Sequence, residues 1–384
     1  MPVSGHKTLG VYIHWPFCAS KCPYCDFNSH VGDGIDHARW ARALESELNL
    51  VAMETPEHTV TSIFFGGGTP SLMDPQTAGS LIASVKKRWK SVPNMEVTLE
   101  ANPSTAEAGR FRAFRDAGVN RLSIGVQSLR DDYLKFLGRG HSASEAIDAI
   151  ELAENLFPRL SFDLMYGLPG QTAADWCQEL AQALELAGSH LSLYQLSIEP
   201  GTAFGRDGVK ATDELTGVEL YEITHERLAI AGLLAYEISN HARPTCECRH
   251  NLDIWQGGDY VGIGPGAHGR VTGRNRTEAH YRIHDPNRWL QRVEEKGHGT
   301  GKRQSLPKRM RAEEIIMTGL RLCEGVNFER FRVATGKDPE DFISPGGLGR
   351  MIDGRFIEAD DIGIRATPQG RLCLNEVLRQ LLAV

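Results

Sequence analysis

Short apolar runs recur along the first half of the chain, at 10–14, 62–65, 96–99, 121–126, 161–165 and 192–198, each followed by a longer stretch of helical period. Apolar runs that are continuous rather than alternating predict strands of a parallel sheet covered on both faces. The intervening segments 37–53, 74–89, 106–117, 142–156 and 173–186 place Ala and Leu at helical spacing. Asp36, Asp74, Thr105, Ser142 and Thr172 stand at or just before those starts, where a short polar side chain caps the first free amides. Six strand and helix units in a row predict an α/β fold, a partial (β/α)6 TIM-like barrel. Each strand runs into a polar or glycine-rich signature: HWPFC, GGGTP, LEANPS, GVQS, DLMYGLPGQ and LSIEPGT. In a barrel these points share the carboxyl rim, where active sites collect.

The pattern changes after Thr202, with a helix over 214–231, a short run YEISN and a strand-like stretch at 260–263. From Leu306 the chain turns helical again in RMRAEEIIMTGLRL and ends in IGIRATPQGRLCL, two short alternating runs that predict a hairpin around Pro-Gln-Gly. The polar stretch VTGRNRTEAH, 271–280, predicts a surface loop. The expected organisation is a barrel over 1–240, a linking region over 241–300 and a small helical, winged-helix-like domain over 301–384.

With 384 residues, 41% hydrophobic and 24% charged, the chain has the balance of a globular protein and room for a sizeable core. A formal net charge of -7 advertises no phosphate-neutralising face, so nucleic acid is not an expected partner. No stretch approaches the roughly 20 apolar residues of a membrane-spanning helix. The opening MPVSGHKTLG lacks the apolar core of a signal peptide, which predicts a cytoplasmic protein. In that reducing compartment, clustered cysteines bind metal or react rather than pair. Cys177, Cys323 and Cys373 stand alone and are expected as buried structural thiols.

Cys18, Cys22 and Cys25 are clustered, with the spacing C-x3-C-x2-C. A structural zinc site wants four ligands, usually two separated pairs, and here His14 or His30 would have to complete the set. Three thiolates on one tight loop also fit a [4Fe-4S] cluster with one iron left for another ligand. Pro16 and Pro23 stiffen the loop against helix formation. Spacing alone leaves iron-sulfur, zinc and plain thiols open.

The triad after the first strand and GGGTP (66–70) after the second resemble the radical S-adenosylmethionine family. The resemblance implies that Cys18, Cys22 and Cys25 bind three irons, and that the fourth iron chelates S-adenosylmethionine. It also implies that Tyr12, Tyr24, Gly67, Gly68 and Thr69 line the cofactor pocket, with glycine amides free to approach the methionine end. Glu100 and Asp163, at strand ends, would accept hydrogen bonds from ribose hydroxyls or the ammonium. Gln127 and Arg139 would complete the set, Arg139 pairing with the carboxylate.

As a set these motifs resemble the subgroup that holds anaerobic coproporphyrinogen III oxidase and the haem chaperones of the HemW branch. Two departures count against the oxidase: Phe27 stands where it has a fourth cysteine, and 17 residues precede Cys18 where it carries a long extension. RHNLDIW resembles the chaperone motif H-N-x-x-Y-W, which implies that His250 ligates haem iron and Trp255 packs on the porphyrin, with Ile254 departing from the Tyr of the motif. His268 is a further candidate for the pocket wall; Cys246 and Cys248 read as supporting thiols rather than a second metal site. The expectation is a haem-transfer protein rather than an enzyme. Its partners would be haem and haem-dependent acceptor proteins, and the cluster would serve transfer or homodimer formation. Delivery to respiratory enzymes would imply transient membrane contact. The competing readings are the oxidase and a zinc-stabilised barrel.

Overall fold

A computed structural model of the protein describes residues 7–32, 34–273 and 276–382. Its centre is one twelve-stranded sheet: β1 (Lys7–Trp15), β2 (His58–Gly67), β3 (Lys90–Ala101), β4 (Arg121–Gln127), β5 (Arg159–Tyr166), β6 (His190–Gln195), β7 (Leu234–Ala235), β8 (Asn240–Ala242), β9 (Asp259–Ile263), β10 (His268–Thr272), β11 (Thr277–Arg282) and β12 (Thr300–Leu306). The order is β12-β11-β10-β9-β1-β2-β3-β4-β5-β6-β8-β7. The strands from β9 through β1 to β6 are parallel, and the outer ones at each end are antiparallel.

All six expected strands form, and so do the helices between them: α1 (His37–Glu54), α2 (Pro75–Arg88), α3 (Ala143–Leu156) and α4 (Ala173–Leu186). Asp36, Asp74, Ser142 and Thr172 cap them by accepting backbone amides, the last two within reciprocal capping boxes. The expected helix over 106–117 is instead two short ones, Thr105–Ala108 and Phe111–Asp116, interrupted at Gly109. Ser104 rather than Thr105 precedes the first, because Ser104 is extended and Thr105 is already helical.

The strands are not apolar on both faces. Along β3 to β6 every second residue is polar and turns inward: Thr98 and Glu100, Ser123, Asp163, Ser192. The alternate residues, Val97, Leu99, Leu122, Ile124, Phe162 and Leu191, are buried in the hydrophobic core. A strand's side chains have period two, so a sheet curved around a polar cavity and clad in helices needs this alternation.

Segment 241–300 does more than link. Its strands β9, β10 and β11 extend the sheet beyond β1, and β12 continues it. Val271–His280 is largely the β10–β11 hairpin rather than a surface loop; residues 274–275 of that stretch lie outside those described, as do residues 1–6 of the opening segment. YEISN is the bend joining β7 to β8. Helix α5 (Glu214–Ile230) lies before it, and α6 (Arg249–Trp255) follows β8.

The C-terminal region begins with α7 (Lys308–Gly319) and has its own core around Ile316, Phe331, Ile364 and Val377. Pro-Gln-Gly is not a hairpin turn there. Thr367 caps a helix with Pro368 at its first position, and the hairpin lies upstream, pairing Ile357–Ala359 with Gly363–Ala366. Cys177 on α4, Cys323 in the turn after α7 and Cys373 are all half-buried rather than buried.

Candidate functional site

The cysteine loop follows β1, anchored by Phe17–Cys18 pairing with His30–Val31. All three thiols are free and half-buried. Each has a polar neighbour: Thr69 donates its hydroxyl to Cys18 Sγ at 3.3 Å, Arg139 donates Nη1 to Cys22 Sγ at 3.1 Å, and Ser29 Oγ lies 3.5 Å from Cys25 Sγ. Burial raises the Cys18 thiol pKa while the Thr69 hydroxyl opposes the rise. Donors aimed at sulfur favour the thiolates that an iron-sulfur cluster takes. Of the two histidines that could complete a zinc set, His14 has both ring nitrogens engaged and His30 has Nε2 engaged. His14 Nε2 lies 2.9 Å from the Asn28 carbonyl and His30 Nε2 lies 2.9 Å from Asn28 Oδ1. Among the described residues no three His, Cys, Asp or Glu side chains converge as a single ion would need. The loop therefore fits a three-thiolate cluster better than zinc.

GGGTP serves a different purpose from the one its glycines suggest. Its amides are engaged: Gly67 N–H with Glu100 Oε2 at 3.3 Å, Gly68 N–H with the Trp15 carbonyl at 2.7 Å, Thr69 N–H with the Phe17 carbonyl at 2.8 Å. Gly67 has φ 117, and a Cβ there would lie 2.7 Å from the His14 ring. At Gly68 it would lie 2.6 Å from the Phe17 carbonyl oxygen. The glycines let the end of β2 press against the cysteine loop.

Gln127, Arg139 and Tyr24 also gather at this rim. Arg139 donates Nη2 to Asn102 Oδ1 and to the Gly125 carbonyl, so its guanidinium bridges the carboxyl ends of β3 and β4 to the loop. Gln127 ends β4 at φ 73, a strained conformation for a residue with a Cβ. Tyr24 packs near Phe204, with ring centroids 6.4 Å apart, and burial raises its phenol pKa.

Tyr12, Glu100, Asp163 and His250 instead line a cavity of about 280 Å³ inside the curved sheet. Burial, reinforced by the Asp163 charge, lifts Glu100 to about 8; burial lifts Asp163 to about 6. Glu100 is thus poised for an ammonium, whose charge would restore the carboxylate. Tyr12 donates to or accepts from His14 Nδ1 at 3.0 Å, which ties the cavity wall to the cysteine-loop side.

His250 enters from the other end. Helix α6 lies against β1, β2 and the early residues of β3: Asp253 accepts from Thr61 Oγ1 on β2 at 2.7 Å, and Arg249 Nη1 donates to the Asn94 carbonyl on β3 at 2.8 Å. It closes the amino end of the barrel, opposite the cysteines. The His250 ring is 3% exposed, stacks on Phe64 at 5.1 Å and bonds Ser62 Oγ through Nδ1 at 2.9 Å. Among the described residues Nε2 has no partner, and burial lowers the ring pKa to about 3, so the imidazole is neutral.

Not every expected residue reaches this site. Trp255, five positions on, faces away from the cavity wall and lies under the Arg321 guanidinium at 5.6 Å. Ile254, one turn from His250, lines the cavity in its place. His268 is exposed on β10 against Tyr281. Cys248 lines the cavity, its thiol raised to about 12 chiefly by burial, whereas Cys246 does not. Arg121, Ser62 and Ser192 were missed by sequence reasoning; the period-two alternation within the strands would have found them.

A partly open parallel barrel with a three-cysteine loop on its carboxyl rim defines a radical S-adenosylmethionine protein. The model of that superfamily matches residues 12–183, and the HemN C-terminal domain model matches 306–373. The solved coproporphyrinogen III oxidase HemN from Escherichia coli superposes with a TM-score of 0.82 at 20% identity, covering 98% of this chain and 91% of that one, a likeness of fold. The heme chaperone HemW of Escherichia coli is 39% identical over 378 residues, 98% of both chains. The mitochondrial radical S-adenosyl methionine domain-containing protein 1 of Bos taurus is 40% identical over 402 residues, all of this chain and 89% of that one. Within the superfamily, the chain belongs to the family of the heme chaperone HemW.

Proposed function

We propose that the protein is a haem chaperone that takes haem on His250 and passes it to haem-dependent acceptor proteins in the cytoplasm. The observation that carries this reading is the unpartnered Nε2 of a neutral, buried His250 facing the cavity. Neutral imidazole nitrogen is an apt axial ligand for haem iron. Cys18, Cys22 and Cys25 would hold a [4Fe-4S] cluster. S-adenosylmethionine would sit between cluster and cavity, near Gly67, Thr69 and Glu100. When bound, the cluster supplies an electron-rich iron site for that cofactor. Arg139 and Thr69 stabilise the thiolates, and Glu100 and Asp163 supply carboxylates for the cofactor's cationic and hydroxyl groups.

A cavity of about 280 Å³ lies at the small end for a ligand pocket, so a tetrapyrrole requires α6 to move outward. Homodimer formation and transient membrane contact during delivery belong to the same proposal.

The test is anaerobic reconstitution of the full chain with iron and sulfide, then haem titration by visible absorption, beside an assay of coproporphyrinogen III decarboxylation. Stoichiometric haem binding, weakened at least tenfold in His250→Ala, is expected. Decarboxylation without stoichiometric haem binding would overturn the chaperone reading in favour of the oxidase.

A further inference from the structure

Asn102 follows β3 and, among the described residues, is the one side chain that hydrogen-bonds both Thr69 and Arg139. Its Nδ2 lies 3.3 Å from Thr69 Oγ1, and its Oδ1 accepts from Arg139 Nη2. Thr69 Oγ1 in turn lies 3.3 Å from Cys18 Sγ, and Arg139 Nη1 lies 3.1 Å from Cys22 Sγ. Ser29, the neighbour of Cys25, stands outside this set. Asn102 is itself held in place. The buried Glu107, on the short helix Thr105–Ala108, accepts from the Asn102 backbone amide at 3.0 Å, from Nδ2 at 3.3 Å and from the Ser71 hydroxyl. Arg110 fastens the same segment to the turn after β2, donating Nη1 to the Ser71 carbonyl at 2.6 Å.

These partners fix which way the Asn102 amide faces. A guanidinium has hydrogens only to give, so the atom facing Arg139 is the carbonyl oxygen. The nitrogen therefore faces Thr69 and Glu107, with one hydrogen for each. An amide nitrogen accepts nothing, so Thr69 Oγ1 is the acceptor in that contact and its own hydrogen is committed elsewhere. Among the described residues it goes to Cys18 Sγ.

We infer that Asn102 is a positioning residue that aims two donors, the Thr69 hydroxyl and the Arg139 guanidinium, at the sulfurs of Cys18 and Cys22. Its consequence rests on the reading that the cysteine loop holds an iron-sulfur cluster. Donors to sulfur draw off negative charge, which steadies such a cluster and raises its reduction potential. The two contacts do not depend on Asn102 equally. Arg139 Nη2 also donates to the Gly125 carbonyl at 2.7 Å, whereas among the described residues the Thr69 hydroxyl has no anchor besides Asn102 and the sulfur itself.

Asn102→Ala leaves the backbone amide of position 102 on Glu107, so the turn after β3 keeps its anchor. Reconstituted anaerobically, the full-length variant should lose its cluster to a chelator about fivefold faster, the worth of one net hydrogen bond, and show a more negative reduction potential. A mutant cycle separates positioning from general damage. In Thr69→Val/Arg139→Gln, which has neither donor, adding Asn102→Ala should change neither quantity further. An undiminished effect in that background, or no effect in the wild-type background, overturns the inference. Crystals of the cluster-free chain give a reading that needs no iron: in Asn102→Ala the Thr69 hydroxyl or the Arg139 guanidinium should leave hydrogen-bond reach of its sulfur. Both donors unmoved overturns the inference there as well. If Asn102→Ala does not fold, Asn102→Ser, too short to bridge Thr69 and Arg139, takes its place in each measurement. A wild-type chain that takes up no iron would instead refute the cluster reading, while the crystals would still decide whether Asn102 sets the two donors.

Discussion

Arg139 donates one guanidinium nitrogen to Cys22 Sγ at 3.1 Å and the other to the Gly125 carbonyl at 2.7 Å. One side chain thus carries positive charge to Cys22, a proposed cluster ligand, and ties it to the strand ends behind it. A hydrogen bond from a charged donor is worth about 1.5–3 kcal/mol. Arg139→Gln should lower the protein's affinity for the cluster about tenfold or more and move the cluster's reduction potential negative. Iron content and a spectroelectrochemical titration after anaerobic reconstitution measure both. Unchanged iron content and potential would show that the contact is incidental.

Glu100 gives the fold a pH dependence of defined sign. Its pKa is about 8 in the folded protein against 4.5 for the ordinary side chain, chiefly through burial. Between those values the native state binds the proton more tightly than the unfolded chain. The contribution is therefore fully present below pH 4.5 and is lost as pH rises through 8. Glu100→Gln keeps an oxygen for the Gly67 amide and removes the charge. Above pH 8 the variant should be about 1–3 kcal/mol more stable than the cofactor-free wild type, with the difference vanishing near pH 5. Urea denaturation at the two pH values checks this, and a pH-independent difference would contradict it.

Glu47 on α1 explains how the extra strands hold to the barrel. Wholly buried, it accepts from the Gly264 amide at 2.9 Å, the Gly299 amide at 2.7 Å and Trp289 Nε1 at 3.1 Å, and it faces Arg282 at 3.4 Å. Removing it would leave three donors without partners and the buried Arg282, which still donates to the Gly262 carbonyl and Thr300 Oγ1, without its counter-charge. Glu47→Ala should cost about 3–5 kcal/mol, whereas Glu47→Gln, which keeps the acceptor, should cost less. Proteolysis would begin in segment 259–306. Equal losses in the two variants would argue that the negative charge, which both remove, matters rather than the acceptor oxygen or the side-chain volume.

What the sequence by itself determined is whatever is written in local period and local chemistry. Helices α1 to α4 could be read because their caps and apolar spacing repeat within a turn or two. The cysteine triad could be read because a cluster needs several thiols on one short loop. The failures were of longer range. Alternation puts Thr98, Asp163 and Ser192 on one face of their strands, but that this face encloses a cavity depends on how the sheet curves, which only strand pairing decides. GGGTP looked like an open anion cradle until the cysteine loop was seen to press on its amides. His250 read as a ligand by resemblance, but its seat over Gly10, its bond to Ser62 and its place opposite the cysteines join residues as much as 240 positions apart. Such contacts are made by packing, which no local pattern encodes, so the tertiary structure alone decided them.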